Sequence, residues 1–183
     1  MNIEEFFLKS VGEWNSMRSV HSLAFQEFEE IRSKIKIFRS KRNDSRVIKF
    51  LQDNLISTNA VNKAFLISWE AKSEWSEENQ KENSSGESIL IPIEISKTEG
   101  KIVRSLGYTE AVQLVSSYKI LDDGTLIIYS DYSHIYTEER IWFVSNNLRS
   151  RSSVTRAIDS LAILQTSYAS EIRSINKKNI PKK

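Results

Sequence analysis

The sequence predicts an all-β fold of about ten antiparallel strands, with a short N-terminal helix and one further helix. Three observations carry this prediction. From about residue 63 onward the apolar residues recur at every second position, the period of a strand with one buried face. Turn-forming residues divide the chain at intervals of roughly ten residues. No internal repeat is visible, which argues against a propeller. Such an array is a sandwich or a closed barrel, and closure would remove unpaired strand edges.

The N-terminal residues are expected to form a short helix. Asn2 is a good N-cap residue and Glu5 follows three positions later, as in a capping box. Gly12 is expected to end the helix, because glycine adopts the left-handed cap conformation without strain. Beyond Gly12 the period changes to two, and one face of the predicted strand carries Trp14, Ser16, Arg18 and Val20.

Two segments between the first strand and residue 63 need separate arguments. Residues 28–38 fit a helix or a strand, and the alternating, β-branched stretch SKIKIF favours a strand. Residues 44–54 favour a helix because their apolar residues share one helical face. Asp44 or Ser45 is the expected N-cap of this helix.

The remaining chain reads as strands separated by polar turns. The polar residues 76–88 are the best candidate for a mobile loop. Tight turns are expected at residues 122–124 and at residues 146–147. We therefore expect one domain over residues 1–176, followed by a flexible tail over residues 177–183.

The composition excludes several classes of function. The chain has 183 residues, and its 26 basic and 24 acidic residues are interspersed, with a net charge of +2. Without a basic stripe there is no case for a nucleic-acid partner. Without cysteine the chain has no disulfide framework, no thiolate zinc site and no cysteine nucleophile of its own. Since His21 and His134 are its two histidines, no metal site built from several histidines is expected.

The N-terminal sequence MNIEEFFLKS does not resemble a signal peptide, because it has acidic residues where a basic start is needed and no apolar run follows. No segment reaches the roughly 18 to 20 apolar residues of a membrane-spanning helix. We therefore expect a soluble, cytoplasmic protein that has no membrane partner.

The first candidate binding residues are Arg149, Arg151 and Ser153, which alternate along a predicted strand and would share one face. If that face points inward, two guanidiniums are desolvated together, which is expensive unless anions pair with them. One glutamate of the neighbouring predicted strand, which carries Glu138 and Glu139, would offset part of this cost. A ligand with two carboxylates would offset the rest through bidentate hydrogen bonds. The alternative is a solvated outer face.

The tryptophans are the second group of candidates. Trp69 and Trp75 share one face of a predicted strand, whereas Trp14 and Trp142 lie on other strands. Large flat side chains around a cavity suit a conjugated ligand, although each tryptophan taken alone fits plain barrel core as well. His21 is expected to be structural. The sequence has neither the Gly-x-Ser-x-Gly elbow of a hydrolase nor a phosphate-binding glycine loop.

Two long segments resemble the signatures of a known family. FFLKSVGEWNSMRSVHSLAF (residues 6–25) is similar to the opening of the S-type phycobiliprotein lyases, roughly FF-x-x-S-x-G-x-W-x-S-x-R-x-x-H-x-L-x-F. Within it, residues 12–14 match the Gly-x-Trp pattern that opens the first strand of lipocalins, where the tryptophan plugs the barrel base. ERIWFVSNNLRSRSS (residues 139–153) is similar to the family's second signature, E-R-I-W-F followed by N-L-R-x-R-x-S. Both occur in the expected order and separation.

The resemblance implies a ten-stranded antiparallel barrel of the lipocalin or fatty-acid-binding type. It also implies a lyase that binds an open-chain tetrapyrrole (a bilin), either phycocyanobilin or phycoerythrobilin, and transfers it to a cysteine of an apo-phycobiliprotein subunit. The thioether would form at the ethylidene of the bilin A ring. The bilin is then a substrate, and no permanently bound cofactor is expected. Overall similarity favours phycoerythrobilin, with the β subunit of phycoerythrin as acceptor.

Carried over residue by residue, the implied bilin-binding positions are Arg18, Trp69, Trp75, Glu139, Arg149, Arg151 and Ser153. Arg149 and Arg151 would pair with the two propionates of the bilin. Glu139, the implied catalytic residue, would pair with its protonated pyrrole nitrogens. Protonation makes the ethylidene carbon more electrophilic, which favours addition of a thiolate.

Two other functions remain open, because the same pocket would serve them. One is a bilin carrier that releases its ligand without directing transfer, and the other is a plain lipocalin for fatty acids or another small ligand. A bilin reductase and a second copy of the chain, forming a homodimer, are further candidate partners. No sequence pattern indicates a self-complementary face.

Overall fold

The architecture is a closed antiparallel barrel, seen in a computed structural model that describes residues 1–41, 44–56, 63–73, 84–105 and 113–174. Within these ranges the helices are α1 (Ile3–Ser10) and α2 (Ser45–Asp53). The strands are β1 (Gly12–Ser22), β2 (Glu27–Arg39), β3 (Phe65–Ser73), β4 (Ser84–Glu94), β5 (Glu99–Ser105), β6 (Gln113–Ile120), β7 (Leu126–Tyr132), β8 (Ile135–Ser145), β9 (Leu148–Ala157) and β10 (Ile163–Arg173).

Consecutive strands pair in antiparallel fashion, and β1 also pairs with β10, which closes the sheet. The predicted all-β fold with about ten strands and two helices is therefore confirmed, and the choice between sandwich and barrel is decided for the barrel. The segment 28–38 lies in β2, as favoured, and Asp44 is the N-cap of α2.

The predicted mobile loop is wrong at its C-terminal end. Its last residues belong to β4, where Ser84 pairs with Ala71 of β3 and Gly86 pairs with Trp69. Backbone hydrogen bonds hold this pairing and do not depend on apolar side chains, so the polar sequence hid the strand. Trp75 and the predicted tail over residues 177–183 lie outside the described residues.

Helix α1 closes one end of the barrel. Its capping box is formed as predicted, with the side chains of Asn2 and Glu5 each accepting from the other's backbone N–H. Its apolar face, formed by Ile3, Phe6 and Phe7, packs on inward-facing side chains at the base of the barrel. These side chains are Phe65, Ile102, Tyr118, Ile120, Leu126 and Ile141. Burial of this face anchors the helix as a plug.

The predicted end of α1 needs a correction. Val11, with ordinary negative φ, is the C-cap, and Gly12 instead begins β1 with a φ of 136°. Of the last carbonyls of α1, that of Ser10 accepts from Trp14 Nε1 and that of Lys9 accepts from the distant Arg173 at 2.6 Å. The same guanidinium also donates to Val11 O. A Cβ on residue 12 would lie 2.5 Å from that guanidinium. Glycine is thus required both by its backbone angle and by the close approach of Arg173.

Replacing Gly12 by alanine is expected to lower the free energy of unfolding by about 1–3 kcal/mol, because alanine is strained at positive φ and meets Arg173. Urea denaturation of the variant and the wild type measures this. A loss below about 0.5 kcal/mol, the range of an ordinary surface substitution, would contradict the interpretation.

Helix α2 packs outside the barrel. Val47, Phe50 and Leu51 contact outward side chains of β3, β4 and β5, including Ile91 and Val103. Because strand side chains alternate, burial of Val103 under α2 forces the neighbouring residues of β5 to face the barrel interior. No helix in the described ranges has the length and apolar character needed to span a membrane.

Candidate functional site

The barrel interior is hollow. A cavity of about 1520 Å³ extends from Phe6 and Phe7 of α1 to Gln26 and Glu27 in the β1–β2 hairpin. A smaller lobe of about 330 Å³ adjoins it. The larger volume exceeds the roughly 300–1000 Å³ typical of small-molecule pockets. The interior therefore has room for a large ligand and is not filled by core side chains.

The cavity wall is divided by chemistry. One side is apolar and is formed by Ile31, Ile35, Ile37, Ile67 and Trp69 of β2 and β3. Most of the residues that line the smaller lobe are polar, and they include Ser130, Thr137, Ser153, Thr155 and Gln165. A ligand with flat apolar faces and a polar edge matches this division.

Trp69 has its position because of a glycine on the next strand. Gly86 pairs with Trp69 across β3 and β4, and a Cβ there would fall 2.3 Å from an indole carbon. The indole thus lies directly against the backbone of β4, on the cavity wall.

At the base of the cavity, Arg149 is already paired. It lies opposite Glu171 in the β9–β10 register, and its Nε donates to Glu171 Oε2. The two side chains are 5% and 1% exposed. Burial lowers the pKa of Arg149 below its usual value, and Glu171 opposes that shift. The guanidinium also lies 4.5 Å from the ring centroid of Trp14, whose Nε1 donates to Ser10 O.

Arg151 has a carboxylate partner as well. Its Nε lies 3.0 Å from Glu139 Oε1, close enough for an ion pair but out of line for a hydrogen bond. Burial lowers the pKa of Arg151, but attraction to Glu139 and Glu171 outweighs it, so that pKa lies above its usual value. Both partners remain partly accessible to solvent from the cavity.

Two further arginines face the cavity without such a partner. Arg18 on β1 and Arg104 on β5 each have a buried Nε with no hydrogen-bond partner among the described residues. The pKa of each lies below its usual value, mainly through burial and also through repulsion by Arg151, while Glu139 partly offsets this. All four cavity arginines nevertheless remain protonated at neutral pH, since guanidinium is so strongly basic.

The structure brings most predicted site residues together. Arg18, Trp69, Glu139, Arg149 and Arg151 line the main cavity. Ser153 lines the smaller lobe, where its hydroxyl lies 2.7 Å from that of Ser167. Their ligand contacts and individual roles stay predictions.

Two members of the cavity's group of arginines and paired glutamates, Glu171 and Arg104, were not predicted from the sequence. Glu171 could have been predicted, because it follows the small residues Ser167 and Ala169 at every second position of β10 and therefore shares their face. In the β9–β10 register this residue lies opposite Arg149. Arg104 lies in no recognisable motif, and its orientation follows from the packing of Val103 against α2.

Other candidates lie elsewhere. His21 is exposed and contacts Phe28, with 4.7 Å between the ring centroids and the rings tilted by 59°. Trp142 packs beside the half-exposed Tyr168, at 6.2 Å. The described residues contain no cluster of His, Cys, Asp and Glu suited to a metal ion.

Fold and site together define a β-barrel of the lipocalin class with a large internal cavity, apolar on one side and cationic at its centre. Comparison with known proteins gives the family. The model of the CpeS-like protein family matches residues 2–174. The chain therefore belongs to the CpeS-like family, which confirms the resemblance to S-type phycobiliprotein lyases.

Individual relatives agree with this assignment. Chromophore lyase CpcS/CpeS 3 of Trichodesmium erythraeum is 39% identical over 95% of this chain and 100% of its own length. A candidate phycoerythrobilin lyase CpeS of Microchaete diplosiphon is 34% identical over 81% of this chain and 66% of its own length. The S-type phycobiliprotein lyase of Guillardia theta has a solved structure that superimposes with a TM-score of 0.83 at 30% identity, covering 97% of this chain and 95% of that chain.

Proposed function

We propose that this protein is a phycobiliprotein lyase, which binds a bilin in the barrel and directs its attachment to a cysteine of a phycobiliprotein subunit. The observation that carries the proposal is the large cavity, whose lining includes four arginines and the two glutamates that pair with two of them. A bilin has two propionates for the cations, protonatable pyrrole nitrogens for a carboxylate, and flat conjugated rings for the apolar wall. The bilin is the substrate, and no resident cofactor is part of the proposal.

The reaction is an addition. The acceptor's sulfur forms a bond to the ethylidene carbon of ring A, the exocyclic double bond opens, and the thiol proton ends on the ring carbon, so nothing leaves. Electron demand at the ethylidene rises when the bilin nitrogens are protonated. Glu139 is suited to pair with that positive charge, and its neighbour Arg151 holds the carboxylate in position.

The acceptor has to approach from the end opposite α1. Because α1 fills the base of the barrel, the route to the ligand runs past the turns at the other end. Phe25 and Leu161, in the β1–β2 and β9–β10 turns, are 77% and 72% exposed there. Apolar side chains of this kind suit contact with a protein partner.

Phycoerythrobilin is the bilin we favour, and the name of the Microchaete diplosiphon relative supports this choice. The β subunit of phycoerythrin is the matching acceptor, and a cytoplasmic location follows from an intracellular acceptor. The proposal also includes a bilin reductase as the donor of the bilin and a second copy of this chain as the partner in a homodimer.

Incubation of the purified protein with phycoerythrobilin and apo-phycoerythrin β subunit tests the proposal. We expect faster thioether formation at one cysteine, mapped by peptide mass spectrometry, than without the protein. The same yield, site and stereochemistry in both reactions would leave only a bilin carrier. Absence of a red-shifted bilin absorbance on mixing, with binding of a fatty acid instead, would indicate a plain lipocalin.

A further inference from the structure

We propose that Arg104 is a carboxylate-binding residue of the bilin site, and that with Arg18 it takes the two propionates in place of Arg149 and Arg151. This inference rests on the proposed function, because it names the ligand groups that the cavity recognises. It reassigns the roles that the family resemblance suggested for Arg149 and Arg151. The reason is that those two arginines already have carboxylate partners inside the protein.

The first step is the inventory of charges. Within the cavity, Glu171 binds Arg149 and Glu139 pairs with Arg151. Two guanidiniums, those of Arg18 and Arg104, are left without a carboxylate partner among the described residues, and their Nε atoms, like that of Arg151, are buried without a hydrogen-bond partner there. Arg18 and Arg104 are partly buried, and a cation that is partly withdrawn from water without a carboxylate partner is costly, so its retention calls for an anion that is supplied from outside. Two unmatched cations fit one ligand that carries two carboxylates.

The second step is position. Arg18, Arg104 and Glu139 are the described residues that line both the main cavity and the smaller lobe. They therefore surround the passage between the two spaces. Three strands, β2 to β4, separate Arg18 from Arg104 in the barrel, so the two cations approach the passage from different sides. A bilin held there by both propionates would place its pyrrole nitrogens beside Glu139.

The third step separates Arg104 from Arg18. Three carboxylates, those of Glu139, Glu29 and Glu171, partly offset the charge of Arg18, whereas Glu139 alone does so for Arg104. The positive charge of Arg104 is thus offset by fewer carboxylates of the protein than that of Arg18. The Arg104 side chain faces the cavity because side chains alternate along β5. Val103 is buried under α2 outside the barrel, and Ile102 is buried inside it at the base.

The test compares phycoerythrobilin with its dimethyl ester, which keeps the conjugated rings and lacks the two negative charges. For Arg104→Met we expect the affinity for the diacid to fall about tenfold to a hundredfold, while that for the ester changes less than about threefold. Arg104→Lys should retain part of the preference for the diacid. Arg18→Met combined with Arg104→Met should bind diacid and ester equally. Arg140→Met is the matched control, since Arg140 is exposed and pairs with Glu138 outside the cavity.

A thermal unfolding measurement of the ligand-free variants distinguishes binding from a structural role. Removal of a partly buried charge that has no carboxylate partner should leave the melting temperature of Arg104→Met unchanged or raise it. A lower melting temperature, an equal loss of diacid and ester binding, or an unchanged diacid affinity would each overturn the inference. If the wild type binds neither compound, the proposed function itself fails. If it binds both equally, only the assignment of the carboxylates fails.

Discussion

Replacing Arg149 by alanine is expected to lower the free energy of unfolding by about 3–5 kcal/mol, the range for breaking a buried ion pair. The variant leaves Glu171 charged and unpaired at 1% exposure, since its guanidinium partner is gone. It also removes one of the two guanidiniums that lie over the Trp14 ring, leaving that of Arg173 on its own there. Urea denaturation followed by tryptophan fluorescence measures the loss.

Two further variants show whether the loss of stability comes from the unpaired charge of Glu171. Arg149→Leu combined with Glu171→Leu should recover much of the stability, because no charge is then left buried. Arg140→Ala removes an exposed pair with Glu138 and should cost no more than about 1 kcal/mol. If Arg149→Ala were as mild as Arg140→Ala, the pair with Glu171 would not be the structural element that we describe.

Replacing Glu139 by glutamine is expected to slow thioether formation by about 100-fold or more, the scale for removing one group that stabilises developing charge. The amide keeps the shape of the side chain but cannot balance the positive charge of a protonated bilin. The absorbance of the bound bilin should also lose much of its red shift. Stopped-flow absorbance with apo-phycoerythrin β subunit measures the rate and the spectrum together.

Glu138→Gln is the matched control for this prediction. Glu138 is the adjacent residue of β8, and its carboxylate accepts from Arg140 Nε at 2.7 Å outside the cavity. The control should retain the wild-type rate and spectrum. A Glu139→Gln protein that transfers bilin as fast as Glu138→Gln, with an unchanged spectrum, would remove Glu139 from the mechanism.

Much of the fold follows from local patterns in the chain. Alternation of apolar residues, the turn signals and the capping box at Asn2 act between residues that are close in sequence, so they predict strands, turns and α1 directly. The alternation also predicts that Arg149 and Arg151 share a face, and the cavity lining confirms it. The start of β4 at Ser84 is not predictable in this way, because its partner β3 supplies the hydrogen bonds.

The charge balance of the site belongs to the tertiary structure. Which arginines have internal partners depends on the β9–β10 register, which sets Glu171 beside Arg149, and on side chains that converge across the barrel. Sequence spacing does not give these pairs, because they join side chains of different strands, β9 with β10 and β8 with β9. By itself, the sequence predicted about ten antiparallel strands, the family and five residues of the cavity wall, namely Arg18, Trp69, Glu139, Arg149 and Arg151. Only closure of the barrel decided that Arg18 and Arg104 are the cations left without a carboxylate among the described residues, since burial and pairing are properties of the folded interior.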